Sequence, residues 1–175
     1  MTANIDEEYF DVVDENDVVI ERLTRSEVHR RKLLHRAVHV FVFRSNGTLL
    51  IHKRSDSKEE FPSVWTSSCS GHVSAGEDYD STAVRELQEE LGVNSQVERL
   101  QKFSACADTS FEFTVLYQCF SDANLTPDPG EIAAVQWLSV DKIQLWMERS
   151  PEDFSPAFCQ LFRWFMQNPK TPGSR

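Results

Sequence analysis

The chain has 175 residues, 40% of them hydrophobic, which is enough for one domain with a proper core and short for two. Its 18 basic and 28 acidic residues give a formal net charge of −10, so it has no general attraction to a nucleic acid polymer or an anionic membrane, and an anionic substrate would need a local cation. Cys69, Cys106, Cys119 and Cys159 are widely spaced and form no C-x-x-C pair, which argues against a zinc site or a disulfide framework and makes a reducing cytoplasm the expected setting.

In chain order, residues 1–8 are polar and expected to be flexible; the segment MTANIDEEYFDVVDEND has no apolar centre and is not read as a signal peptide. No stretch approaches the ~20 apolar residues of a membrane span. A single domain is expected over 9–167. FDVV (10–13) and VVIERLTR (18–25) predict two strands around a turn supplied by Asp14, Asn16 and Asp17. Residues 26–34, with Arg30, Arg31 and Lys32, read as a basic connector. The run 36–55 predicts a β-hairpin around Asn46-Gly47. A loop broken by Pro62 follows over 55–68, then an extended piece, CSGHV (69–73), leading to Gly76.

From Tyr79 to Leu91 the period becomes helical, with Ala83, Leu87 and Leu91 as the buried stripe, Asp78 as N-cap and Gly92 at C′. Strands are predicted over 96–107 and 111–120, the second with Phe111, Phe113, Val115 and Tyr117 on one side. A Pro/Gly loop (125–130) precedes a strand in AAVQWLSV (133–140). Helices close the domain over 140–148 and 156–167, the latter with Ser155 as cap, Pro156 in the first position, and Phe158, Leu161, Phe162 and Phe165 inward. NPKTPGSR (168–175) is a tail. Strands with a central helix and terminal helices predict an α+β (mixed α/β) domain.

The chemistry concentrates in GHVSAGEDYDSTAVRELQEELGV, from Gly71 to Val93. Glu86, Glu89 and Glu90 fall within one and a half helical turns, where carboxylates four apart repel by a few tenths of a kcal/mol. One reading is a solvated acidic face. The other is a shallow site for Mg²⁺ or Mn²⁺, whose preference for oxygen ligands turns repulsion into coordination. Arg85 precedes Glu89 by four and can pair with it, in the weaker of the two orientations.

Gly71, Glu77, Arg85, Glu86, Leu87, Glu89, Glu90, Gly92 and Val93 stand at the spacing of the Nudix box, a match whose chance at one given start is on the order of one in a billion. The stretch resembles that family, and the strand order extends the resemblance over about 12–167. The resemblance implies an α/β/α sandwich around a central mixed sheet, and Mg²⁺- or Mn²⁺-dependent hydrolysis of a nucleoside diphosphate derivative or related organic diphosphate. It implies that Glu86, Glu89 and Glu90, with the Gly71 carbonyl, bind the metal, that Arg85 orients its neighbours and that Glu77 is structural.

HRAVHVF, LLIHKRSDSK, FPSVWTSSCSGH and FSPAF also resemble isopentenyl-diphosphate isomerase, a divergent Nudix relative. That pattern has a cysteine immediately before the box glycine; here Ser70 stands there, with Cys69 one residue earlier and so on the opposite face of a strand. Of the helix glutamates the isomerase keeps only the one matching Glu90. Its histidine–glutamate metal site is matched by His35, His72 and Glu112, with His29 offset by one; its second glutamate falls on Ser110 and an aromatic on Ala157. The expected activity is therefore hydrolysis on an isomerase-like frame, with isomerisation or silent diphosphate binding as alternatives.

By the same resemblance Arg54 and Lys58 would hold the diphosphate. Glu131, in a loop where several Nudix enzymes place a general base or extra ligand, competes with Glu86 and Glu89 for the role of base. His72 is a candidate substrate-binding residue, while His35 and Glu112 are left between site and scaffold. Trp65 is expected to anchor its loop, and Trp137 to be core. Trp146 or Phe165 left unburied would point to a homodimer.

Overall fold

The computed structural model describes residues 7–168. Of the expected flexible N-terminus, 1–6 lie outside them, and so does the tail beyond Asn168. Strands β1 (Tyr9–Val13) and β2 (Val19–Thr24) form a separate two-stranded antiparallel sheet. Asp14 Oδ1 accepts from the N–H groups of Asn16 and Val18, each at 2.9 Å, and closes the turn between them. Asp17 sits in that turn at φ 62°, a conformation that Asp tolerates better than most residues. Its carboxylate is buried against the rest of the domain, accepting from Arg36 Nε (2.6 Å) and Tyr79 OH (2.9 Å) and contacting Lys102 Nζ.

Residues 25–31, expected as the last strand residue and the start of a connector, are a short helix, α1 (Arg25–Arg31). Thr24 Oγ1 caps the Glu27 N–H at 3.3 Å and Lys32 ends the turn in the left-handed region. Val28 is its buried residue; a single inward position offers no 3.6-residue period to read.

The Asn46-Gly47 turn is present, with Gly47 at φ 81°. The strands it joins, β3 (His35–Phe43) and β4 (Leu49–Arg54), nevertheless pair only at Phe43↔Leu49 and then diverge. The cause is Ser68. Its hydroxyl accepts from the Val42 N–H (2.7 Å) and donates to Leu50 O (2.6 Å), standing where the next rung of the hairpin would be. Each strand then takes other neighbours. β3 runs parallel to β8 (Glu112–Phe120) from His35↔Glu112 to Phe43↔Phe120, and antiparallel to β6 (Cys69–His72) over 37–40. β4 pairs antiparallel with β9 (Ile132–Leu138) and with β5 (Trp65–Thr66). β7 (Glu98–Phe103) extends the sheet beyond β8. Phe111, expected within the strand on one side with Phe113, Val115 and Tyr117, precedes β8 at φ 65°, in a turn with Ser110 at φ 51°.

Helices cover both faces of this mixed sheet, giving the α/β/α sandwich. On one face α2 (Tyr79–Leu91) buries Ala83, Leu87 and Leu91 against Val38, Val40, Val42, Val115 and Tyr117. On the other, α3 (Val140–Arg149) and α4 (Pro156–Gln167) bury Ile143, Phe158 and Phe162 against Phe41, Phe43 and Leu116. Alternation along β3 serves both layers. The predicted caps hold: Asp78 accepts from the Ser81 N–H, Gly92 takes φ 67°, and Ser155 accepts from the Phe158 N–H. Trp65 packs edge-on to Trp146 at 5.6 Å, and Phe165 lies against Phe41 and Phe43. Both aromatics whose exposure would have pointed to a homodimer are thus taken up by the second core. No helix among the described residues is long and apolar enough to cross a membrane.

Asp17 ties the β1–β2 turn to β3, β7 and the start of α2. Burial opposes its ionisation, but the hydrogen bonds from Lys102, Arg36 and Tyr79 win and hold its pKa below the usual carboxylate value. Asp17→Asn keeps the left-handed backbone, removes the charge and turns one of the two accepting oxygens into a donor. It is expected to cost about 3 kcal/mol in urea unfolding at pH 7. Because the folded-state pKa is depressed, that advantage of the wild type should fade only as pH falls below about 4.

Candidate active site

Glu86 and Glu90 are drawn into the seam between α2 and β6 by the apolar stripe of the helix. Glu90 is 5% exposed, on the same face as Leu87 and Leu91, and its Oε2 accepts from the Ser70 N–H at 3.3 Å. Glu86 reaches Gly71. A Cβ there would lie 2.1 Å from Glu86 Cδ, so only glycine lets the carboxylate meet the β6 backbone. Glu89, one position back, is the exposed member of the three.

Arg85 organises this wall. It binds Glu77 with Nε (3.0 Å to Oε1) and Nη2 (2.9 Å to Oε2), while Nη1 donates to Glu86 Oε1 and Glu89 Oε2, both at 2.9 Å. The expected Arg85–Glu89 pair is therefore one part of a larger fork. Glu77 also accepts from Thr82 Oγ1 at 2.9 Å, which fixes the loop onto the helix. The Arg85 hydrogen bonds outweigh burial and keep the Glu77 pKa low.

The site glutamates differ. Burial, with Glu89 adding and Arg85 opposing, raises Glu86 to about 7. Burial, followed by the charges of Glu86 and Glu131, pushes Glu90 well above the carboxylate range. Two desolvated carboxylates side by side hold either protons or a cation. The all-oxygen donor set and the close approach to the Gly71 backbone fit Mg²⁺ or Mn²⁺.

A cleft of about 300 Å³ opens over this wall. Every residue singled out for the site by sequence lines it: Gly71, His72, Arg85, Glu86, Glu89 and Glu90, and from the facing loops Arg54, Lys58 and Glu131. Lys58 Nζ is paired with Glu131 Oε2. Arg54 is engaged with its own loop, donating to the carbonyls of Glu60 (3.0 Å) and Phe61 (3.1 Å).

A second donor set borders the same cleft. Glu112 follows Phe111 and takes the opposite side of β8 from Phe113, pairing in register with His35. Its Oε1 is 2.9 Å from His72 Nε2 and 3.5 Å from His35 Nε2. Burial works against its charge, yet His35 and His72 hold its pKa well below the carboxylate range. α1 swings His29 into the group, so that one ligand nitrogen from each of His29, His35 and His72 lies within 4.8 Å of the others. His35 Nδ1 lies 2.9 Å from Leu33 O, which turns its Nε2 toward Glu112. That atom and His29 Nε2 are buried without a hydrogen-bond partner among the described residues. Burial, then the neighbouring His72 and His35, lowers His29 to about 4, which keeps it neutral. Unpartnered imidazole nitrogens grouped beside a carboxylate fit a transition-metal ion.

His39 was missed in the sequence. It lines the cleft with its ring bonded to Ser67, and only the step of two from His35 through Ala37 along one strand face could have flagged it. Of the positions set beside the isomerase pattern, Ser70, Ser110 and Ala157 all line the cleft. Cys69 faces the opposite core beneath α2.

A family model described as the NUDIX domain matches residues 33–158. The chain belongs to the Nudix family. It is 31% identical over 157 residues to the isopentenyl-diphosphate Delta-isomerase of Serratia proteamaculans (strain 568), covering 87% of this chain and 88% of that protein. It is 29% identical over 167 residues to a Yersinia pestis protein named an uncharacterized Nudix hydrolase, covering 92% and 87%. Among solved structures, the crystal structure of DR0079 from Deinococcus radiodurans superposes with a TM-score of 0.80 at 31% identity, covering 90% of this chain and 98% of that one. Nudix relatives at nearly equal identity thus carry isomerase and hydrolase names, so the names alone do not choose the reaction. Both groups generally use divalent metal ions.

The raised Glu86 pKa makes a linkage prediction for protein freed of divalent ions. A carboxylate whose folded pKa lies above its unfolded value destabilises the fold progressively as pH rises between the two, here from 4.5 to about 7. Glu86→Gln removes this penalty, so its stability relative to wild type should rise from pH 5 to pH 8 by up to about 3 kcal/mol. Buried neutral histidines act oppositely below about pH 6.5 but cancel in the comparison. Saturating Mn²⁺ should reverse the order at pH 8, read by thermal unfolding.

Proposed function

We propose that this chain is a divalent-metal-dependent hydrolase of an organic diphosphate, working on a frame shared with isopentenyl-diphosphate isomerases. The observation that carries this reading is the convergence of Glu86, Glu89 and Glu90 beside a glycine that no other residue could replace without displacing Glu86. Those carboxylates, with the Gly71 carbonyl, would hold Mg²⁺ or Mn²⁺. The bound ion would neutralise the diphosphate and lower the pKa of an attacking water.

The chain's own residues do the rest. Arg85 holds Glu86 and Glu89 in fixed orientation. Lys58 and Arg54 offer cationic contacts to a diphosphate in an otherwise acidic protein. Glu131 lines the same cleft as the helix glutamates, paired there with Lys58, and is the favoured general base. Four free cysteines agree with work in a reducing compartment such as the cytoplasm.

The His29/His35/His72 group with Glu112 favours a second reading, isomerisation, because its clustered, partly unpartnered ring nitrogens suit a second metal ion. Against it stand Ser70, Ser110 and Ala157 at positions where the isomerase pattern has a thiol, a carboxylate and an aromatic.

A broad panel of organic diphosphates with Mg²⁺ and Mn²⁺, products identified by mass, tests the first reading. Some member should be cleaved with release of a phosphorylated product, and Glu90→Gln should lower that rate at least 100-fold. Deuterium incorporation into isopentenyl diphosphate without phosphate release, with every hydrolysis assay blank, would select the isomerase. Ligand-induced thermal stabilisation with no turnover in either assay would mark a binding module.

A further inference from the structure

Hydrolysis as proposed leaves His39 without a role. It lies on β3 opposite Ser70 of β6 and lines the cleft while only 6% exposed. Its Nδ1 is 2.6 Å from Ser67 Oγ. Ser67 is fully buried, and that nitrogen is the acceptor within reach of its hydroxyl. A buried O–H left unpaired costs about 1–3 kcal/mol, so Ser67 donates to Nδ1 and the ring proton sits on Nε2. Nε2 forms no hydrogen bond among the described residues, and it is the ring nitrogen left for the cleft. Burial lowers the ring's pKa to about 4, so it presents an uncharged N–H donor at neutral pH.

A second donor borders the same cleft. Thr66 Oγ1 and Ser155 Oγ are 2.9 Å apart, both buried and both lining the cleft. Ser155 Oγ also accepts the Phe158 N–H that starts α4. The two hydroxyls carry two protons, and one can serve the bond between them. The other has no acceptor among the described residues. Neither the Nε2–H nor the spare hydroxyl proton is taken up by an acceptor among the described residues, so both are free to donate to acceptor oxygens on a ligand in the cleft. The apolar side of the account is thin: among the residues lining the cleft, only Ala37, Phe61 and Ala157 have purely hydrocarbon side chains. A prenyl chain would find little apolar surface to cover and would leave both donors unpaired.

We infer that His39, Thr66 and Ser155 form a neutral donor subsite for the oxygen-bearing organic group of the substrate, a ribose, sugar or other polyol, and that the cleft discriminates against prenyl diphosphates. This rests on the reading of the cleft as a diphosphate site.

Isothermal titration of the full chain, with Ca²⁺ to suppress turnover, separates the two. The probes are inorganic diphosphate, ADP and geranyl diphosphate. Wild type should bind ADP at least tenfold more tightly than geranyl diphosphate. His39→Leu should weaken ADP at least tenfold while inorganic diphosphate stays within twofold. Thr66→Val, which keeps the shape and removes one hydroxyl, should weaken ADP about threefold and decides the matter if His39→Leu does not fold. Geranyl diphosphate binding as tightly as ADP overturns the inference. So does an equal loss of inorganic diphosphate affinity in His39→Leu, because the donors would then read phosphate. Failure of wild type to bind inorganic diphosphate at all sinks the diphosphate reading, and this subsite with it.

Discussion

Glu86 and Glu90 are carboxylates placed where the protein withholds water from them. The packing of Leu87 and Leu91 into the core beneath the sheet leaves no freedom to rotate α2, so the residue between them on the same stripe, Glu90, goes inward too. Among the described residues no cationic side chain hydrogen-bonds Glu90: the Ser70 N–H is its donor, and Arg85 reaches Glu77, Glu86 and Glu89 instead. A helix that buries acid beside acid is a stability defect in isolation. The divalent cation proposed above would offset it, and the rest of the local structure is compatible with that role. Gly71 clears the approach, Glu77 anchors Arg85, and the Asp78 cap and Gly92 terminus set where the helix starts and stops.

These features were legible in the sequence because they are local. The box residues, the caps of α2 and α4 and their apolar stripes follow from spacing and from side-chain preferences that act within one or two turns. What the sequence concealed was set at a distance. The Asn46-Gly47 turn is correct, yet the hairpin opens because Ser68, contributed from beyond a long loop, replaces its second rung. α1 has one buried position and so no period, although it is this helix that carries His29 to His35 and His72. The one-residue offset of His29 from the isomerase pattern is absorbed by helical geometry, which linear spacing cannot express. The tautomer of His39 depends on the absence of any other acceptor for Ser67, a property of the folded interior alone.

The cleft therefore holds two donor sets of different chemistry, hard carboxylate oxygens on α2 and imidazole nitrogens around Glu112. A proton-shuttling isomerisation of an alkene needs a strong acid or base at the reacting carbon, and in the isomerase pattern a cysteine precedes the box glycine. Here the nearest thiol, Cys69, points into the core under α2; burial, with Glu90 and Glu86 behind it, pushes its pKa well up, so it stays a neutral, enclosed thiol. Ser70 reaches the cleft in its place, but a hydroxyl has neither the acidity nor the nucleophilicity of a thiolate. A diphosphate bond asks less of such a residue. Its cleavage depends on charge neutralisation, an oriented water and a carboxylate base, and the α2 wall with Glu131 can provide these without any contribution from the position that changed. The substitution that removes one chemistry leaves the other intact, and this asymmetry, more than the count of matching motif residues, favours hydrolysis in this cleft.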